Sequence, residues 1–259
     1  MFEKVNPAHP DKVADRIAGA IVDLAYRMSD NPHIAVEVLI GHGRCFIVIE
    51  SDVTIYYDEI DRIVNRISGL RNPDIVWSEQ DIHLNRNQDK LIRCGDNGIF
   101  KKTIITDEQR ILTEISKLMY EKFGTDGKYL IDGKNVTICQ SCADLKDITD
   151  LLQDYKYNLI INPLGEWTGG LDTDSGATNR KLGSDMGDGI SGGGLHGKDL
   201  SKADVTLNIC SYLDKRDYSC SIGDEYVAGV RYDEYVKRAK DYIDSIGGFE
   251  KFAEWGLIR

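Results

Sequence analysis

Residues 33–50 read HIAVEVLIGHGRCFIVIE, two apolar runs on either side of Gly41-His42-Gly43. Runs rich in Val and Ile that are separated by a short, glycine-containing turn are typical of a β-hairpin. Apolar residues with helical spacing precede this hairpin over residues 10–28 and follow it over residues 57–70. The first part of the chain therefore predicts a helix, a hairpin and a second helix.

A second segment predicts the same order of elements. Thr106 opens a helix, and Gln109 lies three residues on, as in a capping box. A hairpin follows with Asp132-Gly133 as its turn, which is a strong hairpin signal. A further helix is predicted over residues 143–155.

A third segment repeats the pattern after a long glycine-rich stretch. Helices are predicted over residues 201–215 and 232–246, with a hairpin that turns near Gly223-Asp224 between them. The three turns lie near positions 42, 133 and 224, so the spacing is about 91 residues both times.

The repeated pattern predicts an α+β fold of three pseudo-threefold-related units, each a β-sheet covered by helices. The units are predicted to span residues 1–105, 106–160 and 161–259 of one compact chain. Each unit is too small to bury its own apolar faces, so we expect the three to pack together. Sites in such proteins tend to lie where repeats or subunits meet.

The glycine-rich stretch covers residues 162–204 and contains eleven glycines. Glycine at this density indicates sharp bends or a close approach of backbone to a ligand. Fixed cations among exposed backbone amides suit a polyanion, and carboxylates suit a hydrated divalent ion or an ammonium group. The charged residues concerned are Asp174, Arg180, Lys181, Lys198, Lys202 and Asp204. The alternative is a flexible linker, although linkers usually lack such a pattern of charges.

Composition limits the possible functions. A net charge of −11 and a pI near 5.0 argue against a nucleic-acid surface, so an anionic substrate would need a local cationic cluster. Neither a signal peptide nor an apolar run long enough for a membrane span is found, and we expect a cytoplasmic location.

Cys139-Gln-Ser-Cys142 could be half of a zinc site or a redox pair. Because no second C-x-x-C and no paired histidines accompany it, reduced thiols without a metal are expected.

The segment His9-Pro10-Asp11-Lys12 places a histidine and a carboxylate at the start of the first helix. Proline suits the first turn, and the free amides and partial positive charge at a helix N-terminus suit phosphate. By itself this cluster has a simpler explanation, in which Asp11 only favours the helix dipole and His9 is a surface residue.

Taken together, five motifs resemble those of S-adenosylmethionine synthetases (methionine adenosyltransferases), in the order of that family. The motifs are residues 9–15 (HPDKVAD), 95–98 (GDNG), 161–165 (INPLG), Asp174 through Arg180-Lys181, and 197–204 (GKDLSKAD). The resemblance covers residues 3 to about 225. It implies three similar α/β units and a homodimer, or a tetramer, with shared active sites.

The resemblance also implies the reaction. Methionine sulfur would attack the ribose C5′ of ATP to give S-adenosylmethionine, and the departing tripolyphosphate would be cleaved to phosphate and diphosphate. Two other functions stay open for a chain with these motifs. One is a tripolyphosphatase or ATP-binding hydrolase, and the other is a non-catalytic nucleotide-binding regulator of the same fold.

Residue roles follow from the resemblance position by position. It assigns the triphosphate and catalysis to a basic set: His9, Lys128, Arg180, Lys181, Lys198 and Lys202. It also assigns ATP binding to Asp96, Asp126, Trp167 and Ile222, and methionine to Glu50, Asp174 and Lys202. It makes Asp11 and Asp204 the ligands of two magnesium ions per site, and Glu37 a ligand of potassium. Glu3 also matches an acidic position of the family.

Several positions depart from the family pattern. Asn6-Pro7-Ala8 replaces Ser-Glu-Gly, Lys101-Lys102 replaces small or aromatic residues in a mobile gate, and Leu195-His196 replaces an aromatic-Ser pair. Two assigned residues also have ordinary explanations. Trp167 could be a surface anchor, and Glu37 could be a solvent-facing residue of the hairpin.

Overall fold

The computed structural model describes residues 1–83, 86, 97–190 and 193–259. Within these ranges the chain forms eight α-helices: α1 (Pro10–Met28), α2 (Tyr57–Ser68), α3 (Asp107–Phe123), α4 (Leu145–Leu151), α5 (Leu182–Met186), α6 (Ala203–Asp214), α7 (Tyr232–Ile246) and α8 (Phe249–Trp255). It also forms twelve strands: β1 (Phe2–Val5), β2 (Ile34–Gly41), β3 (Arg44–Ser51), β4 (Asp74–Ser78), β5 (Gly98–Phe100), β6 (Gly127–Asp132), β7 (Asn135–Gln140), β8 (Asn158–Ile161), β9 (Ser175–Ala177), β10 (Tyr218–Cys220), β11 (Tyr226–Val227) and β12 (Val230–Arg231). No helix in these ranges has both the length and the hydropathy that a membrane span requires.

The first predicted hairpin is the centre of a four-stranded sheet with the order β4-β3-β2-β9. β2 and β3 pair antiparallel around the predicted turn, and β4 pairs parallel to β3 after the crossover through α2. β9 comes from the glycine-rich stretch and pairs antiparallel with β2. That pairing attaches the stretch to the first unit.

The second hairpin builds a sheet of the same layout, β1-β6-β7-β8. β6 and β7 are antiparallel, β8 is parallel to β7 after α4, and β1 takes the antiparallel edge on β6. α3 starts at the predicted capping box, in which Thr106 and Gln109 each bond the other's backbone amide. The repeat is therefore present as two sheets with equivalent strand order, although α4 is shorter than predicted.

The third unit differs from its prediction in the position of the hairpin. β11 and β12 are joined by Ala228-Gly229, not by Gly223-Asp224. Ala228 and Gly229 have φ values of 49° and 81°, as a two-residue hairpin turn requires, and an alanine gives no sequence signal for such a turn. Gly223-Asp224 instead leads from β10 to β11, while β10 pairs with β5. The equal spacing of the three turns is therefore wrong, whereas α6 and α7 are confirmed.

Helices cover both large sheets, which confirms the predicted α+β class. α1 lies in one apolar core together with the first sheet, the third unit and α8. Gly19 permits the close approach of α8, because a Cβ there would lie 2.7 Å from the Phe249 carbonyl oxygen. A second core includes residues of α3 and of the β1-β6-β7-β8 sheet. The unit boundaries after residues 105 and 160 stay a prediction.

Candidate active site

The N-terminus of α1 brings His9 and Asp11 against the glycine-rich stretch. His9 is the N-cap, and its Nδ1 accepts a hydrogen bond from the Asp11 backbone amide at 3.2 Å. The Asp11 carboxylate is 2% exposed and accepts from Lys181 Nζ at 2.6 Å and from the Ala177 amide at 2.9 Å. Arg180 Nη1 lies 3.6 Å from the same carboxylate. A buried carboxylate is thus placed beside two of the predicted triphosphate-binding cations.

Close backbone packing makes this arrangement possible. A Cβ on Gly176 would lie 2.1 Å from the Pro10 carbonyl oxygen and 2.5 Å from the Asp11 amide nitrogen. β9 can therefore approach the start of α1 only because residue 176 is glycine. This is the use of glycine that the sequence predicted for the stretch.

Burial and neighbouring charges determine the protonation of both residues. Burial and, less strongly, the Lys181 ammonium lower the pKa of His9 to about 4, against the attraction of Asp11. Burial opposes ionisation of Asp11, but the Lys181 hydrogen bond and the Ala177 amide outweigh it and lower the pKa of Asp11. At neutral pH His9 is thus an uncharged imidazole, and because Nδ1 accepts a hydrogen bond, its proton lies on Nε2.

A second ion pair lies at the start of α6. Lys198 Nζ donates to Asp204 Oδ2 at 2.7 Å, and Lys202 is the N-cap of the helix and is largely buried. Gly193 has a φ of 62°, and a Cβ there would lie 1.9 Å from Asp204 Oδ1. Backbone therefore lies directly against this carboxylate, where only glycine fits.

The described part of the glycine-rich stretch is anchored, so the linker interpretation is wrong for it. Val36 donates its amide to the Gly197 carbonyl at 2.6 Å, and the Asp199 carboxylate accepts from the Ile34 amide at 2.8 Å. These bonds fix the segment that carries Lys198 to β2.

A third group of predicted residues lies around β6. Asp126 Oδ2 accepts from the Gly170 amide at 3.1 Å, and Lys128 Nζ forms an ion pair with Glu3 at 3.0 Å. Trp167 is half-buried and donates Nε1–H to Asn162 Oδ1 at 3.2 Å. A cavity of about 490 Å³ adjoins the indole and is lined by Cys142, Ala143, Asp144, Glu166, Trp167 and Thr168. Cys139 and Cys142 are free thiols.

The charged residues around β6 and those at the N-terminus of α1 affect one another's pKa. Lys128 lowers and Asp174 raises the pKa of His9, although both are weaker influences than burial and Lys181. Burial, together with the charges of Asp174 and Asp11 and against the hydrogen bond from the Gly170 amide, raises the pKa of Asp126 to about 6. The charges at the start of α1 and those around β6 therefore act on one another.

Other predicted residues are located by their strands and hydrogen-bond partners. Glu37 and Glu50 are on the exposed face of the first sheet, where Glu37 accepts a hydrogen bond from the Thr178 hydroxyl. Ile222 is exposed and donates its amide to Asn97 Oδ1 at 2.6 Å. Asp96 lies outside the described residues.

Four residues to which the sequence assigned no role form a buried charge cluster: Lys12, Asp15, Asp185 and His196. The two aspartates and His196 place three potential metal ligands within 4.8 Å of one another. Lys12 Nζ, however, lies 2.7 Å from Asp185 Oδ2 and 3.0 Å from Asp15 Oδ2. Burial opposes the charge of Lys12, but the two carboxylates outweigh it and raise the lysine pKa.

An ammonium group therefore takes the place that a metal ion would need, and the cluster is an internal ion pair network. Sequence could have placed Asp15 near Lys12, since they lie three residues apart on α1. Asp185 and His196 become neighbours of Lys12 only in the folded chain.

Replacement of Asp126 by Asn is expected to stabilise the protein at about pH 8 by on the order of 2 kcal/mol and to have little effect near pH 4. The folded protein holds the Asp126 proton up to about pH 6, whereas an unfolded aspartate releases it near pH 4. The wild type therefore loses stability as pH rises through this interval, while Asn keeps the acceptor for Gly170 without ionising. Urea unfolding across the pH range measures the difference.

The matched control for this prediction is Asp132→Asn, at the exposed end of the same strand. Because this side chain is exposed, its replacement should change the free energy of unfolding only slightly. Equal behaviour of the two variants would contradict a raised pKa at Asp126.

Comparison with known proteins gives a consistent result. Residues 1–91 match the family model of the S-adenosylmethionine synthetase N-terminal domain. The chain is 28% identical over 263 residues to the S-adenosylmethionine synthase of Wolinella succinogenes, an alignment that covers 78% of this chain and 68% of the relative. Identity to the Salinibacter ruber S-adenosylmethionine synthase is 27% over 268 residues, with 78% and 69% coverage.

A solved structure has a similar fold. It is that of an unusual S-adenosylmethionine synthetase from Campylobacter jejuni, with a TM-score of 0.74 and 18% identity over 99% of this chain and 93% of that chain. At this identity the similarity concerns the fold. Residues 1–91 thus match the S-adenosylmethionine synthetase N-terminal domain, and the chain as a whole is similar to S-adenosylmethionine synthases in sequence and to one such synthetase in fold.

Proposed function

We propose that the protein is an ATP:L-methionine S-adenosyltransferase that also cleaves the tripolyphosphate product to phosphate and diphosphate. The observation that carries this proposal is the pairing of two predicted metal-binding carboxylates with predicted triphosphate-binding lysines, Asp11 with Lys181 and Asp204 with Lys198. Gly193 lies against the Asp204 carboxylate, and Gly176 lets β9 approach α1 so that the Ala177 amide bonds the Asp11 carboxylate. Such a surface has the charges needed for a metal-bound polyphosphate.

The proposed reaction needs little proton transfer, because a thioether sulfur has no proton to lose. It needs the sulfur aligned with C5′ and needs stabilisation of the negative charge that grows on the departing triphosphate. Basic residues before and within the glycine-rich stretch would supply that stabilisation: Lys128, Arg180, Lys181 and Lys198. Neutral His9 would donate Nε2–H to the oxygen that leaves C5′.

The carboxylates of Asp11 and Asp204 fit magnesium, since both offer hard oxygen ligands beside backbone that only glycine allows. When bound, two magnesium ions would neutralise phosphate oxygens and so favour departure of the triphosphate. In this conformation each carboxylate is neutralised by its own lysine. Binding of metal and triphosphate would therefore exchange partners, with the lysines moving from carboxylate to phosphate.

The remaining assignments extend the proposal to the substrates. Trp167 would stack on adenine with Ile222 opposite, and Asp126 would contact the ribose beside the cavity at Trp167. Asp174 and Glu50 would pair with the methionine amino group, and Lys202, held by Asp96, would bridge methionine and phosphate. Potassium at Glu37 and a cytoplasmic location belong to the same proposal.

An exposed apolar patch supports a homodimer with shared sites. Leu39, Phe46, Val48 and Val76 on the first sheet are each more than 40% exposed, and strand pairing makes them neighbours. Contiguous apolar surface of this kind is typical of a protein interface. Glu37 pairs directly with Val48 across the strands, so a partner that covers the patch would also cover predicted site residues.

Replacement of Val48 by Lys is expected to weaken dimerisation by at least about 100-fold, because it would bury an ammonium group in the apolar contact. Glu37 on the neighbouring strand can pair with the new lysine in the monomer, so the fold should persist. Light scattering across a concentration series measures the mass. Ile160→Lys, an exposed apolar position on the other large sheet, is the control; monomeric wild type, or a dimer unaffected by V48K, would argue against this interface.

The activity is tested by incubating the protein with ATP, methionine, Mg²⁺ and K⁺ and measuring the sulfonium product by mass spectrometry. Formation of S-adenosylmethionine with phosphate and diphosphate supports the proposal. Phosphate release without the sulfonium would favour a polyphosphate hydrolase. Nucleotide binding without turnover would favour a non-catalytic regulator.

A further inference from the structure

Two segments that carry predicted triphosphate-binding cations are joined by one side chain. Arg180 and Lys181 directly follow Asn179, and Lys198 lies two residues after His196. The Asn179 side chain accepts from the His196 backbone amide at 3.0 Å and donates to the His196 carbonyl at 3.1 Å. An amide side chain thus bonds both backbone groups of a residue in the other segment.

Asn179 is itself fixed in place. Its backbone amide donates to Asp15 Oδ1 on α1 at 2.7 Å, and its φ of 62° is a left-handed conformation that asparagine tolerates better than most residues. Gly194 makes room for it, since a Cβ there would lie 2.4 Å from the asparagine side chain. The position therefore selects a short amide side chain in a backbone conformation that few residues adopt.

His196 is fixed from the opposite side by its ring. The imidazole is buried, and Nε2 lies 2.9 Å from Asp185 Oδ2. Because a carboxylate only accepts, the ring proton lies on Nε2. Asp185 is held in turn by Lys12, which also pairs with Asp15. The Asn179 backbone and the His196 ring therefore bond to the same buried ion pair network, which includes Lys12 and Asp15 of α1 and lies next to Asp11.

We propose that Asn179 and His196 are positioning residues that set the separation of Lys181 from Lys198. The inference rests on the proposed function, because it takes the triphosphate as the ligand that these lysines share. Residues 193–197 include three glycines, and fixing such a segment only when ligand binds would cost conformational entropy. Holding it beforehand removes that cost from binding.

The test measures binding of inorganic tripolyphosphate with Mg²⁺ by calorimetry, independently of sulfonium formation. Asn179→Gly keeps the left-handed backbone and removes the amide, and we expect it to weaken tripolyphosphate binding by about 10- to 100-fold and to raise KM for ATP more than it lowers kcat. Asn72→Gly is the matched control, since Asn72 is exposed with a φ of 55°. It should leave binding unchanged.

A second pair of variants tests the ring. His196→Ala removes the bond to Asp185 and should weaken tripolyphosphate binding to a similar extent. His196→Gln can place an amide N–H near the position of Nε2 and should restore most of it. Rescue by Gln would distinguish the bond to Asp185 from a general need for bulk, and thermal unfolding of each variant separates loss of folding from loss of binding.

The outcomes separate this inference from the proposed reaction. Tripolyphosphate affinity within about twofold of wild type in folded Asn179→Gly or His196→Ala would overturn the positioning role, as would losses explained entirely by unfolding. Wild type that forms no sulfonium, while the variants still lose tripolyphosphate affinity, would refute the adenosyltransferase and leave the positioning role standing. Wild type that does not bind tripolyphosphate would overturn both.

Discussion

Replacement of Asp11 by Asn is expected to lower kcat for S-adenosylmethionine formation by at least about 10³-fold, which corresponds to about 4 kcal/mol of transition-state stabilisation. Asn can still accept from the Ala177 amide, so the start of α1 should keep its position. It lacks the negative charge that would hold a magnesium ion and that now holds Lys181. Steady-state kinetics with saturating ATP, methionine and Mg²⁺ measures the loss.

A direct binding measurement adds a result that activity alone does not give. Without the carboxylate, binding of Mg²⁺ in the presence of tripolyphosphate should weaken, as measured by calorimetry. The control is Asp107→Asn, which removes an exposed ion pair with Arg110 and should change neither property. Full activity of D11N would contradict the magnesium assignment.

Replacement of Lys198 by Ala is expected to lower kcat/KM for ATP by about 10²- to 10³-fold. Lys198 pairs with Asp204 in a largely buried setting. Its loss would leave a carboxylate beside Gly193 without this cation, in a place where triphosphate must bind. Lys198→Arg keeps the charge and should recover part of the rate, limited by the different geometry of the guanidinium group.

The control for Lys198 is Lys146→Ala, at an exposed pair with Asp150 on α4. It should leave kcat/KM unchanged. If K198A were as active as K146A, Lys198 would not be part of the site, and the residues assigned to the triphosphate would have to be revised.

The fold was largely predictable because local patterns set its elements. The hairpin at 33–50, the capping box at Thr106 and the amphipathic helices α1 and α7 all form where the sequence predicts them. The sequence predicted the third hairpin at the wrong position because its turn uses Ala228. Alanine rarely adopts a positive φ, so its presence gives no sign of a turn that the surrounding strands impose.

Sequence by itself determined the repeated α+β architecture, the resemblance to S-adenosylmethionine synthetases and which charged residues are candidates for the site, because spacing and residue type carry that information. Only the tertiary structure decided which charges are partners: Asp11 with Lys181, Asp204 with Lys198, and Lys12 with Asp185. Lys12 and Asp185 are far apart in the chain, and Asn179 and His196 are separated by a segment that includes α5. Their bonds exist because α1, β2 and the glycine-rich stretch pack together, a condition that no local pattern encodes.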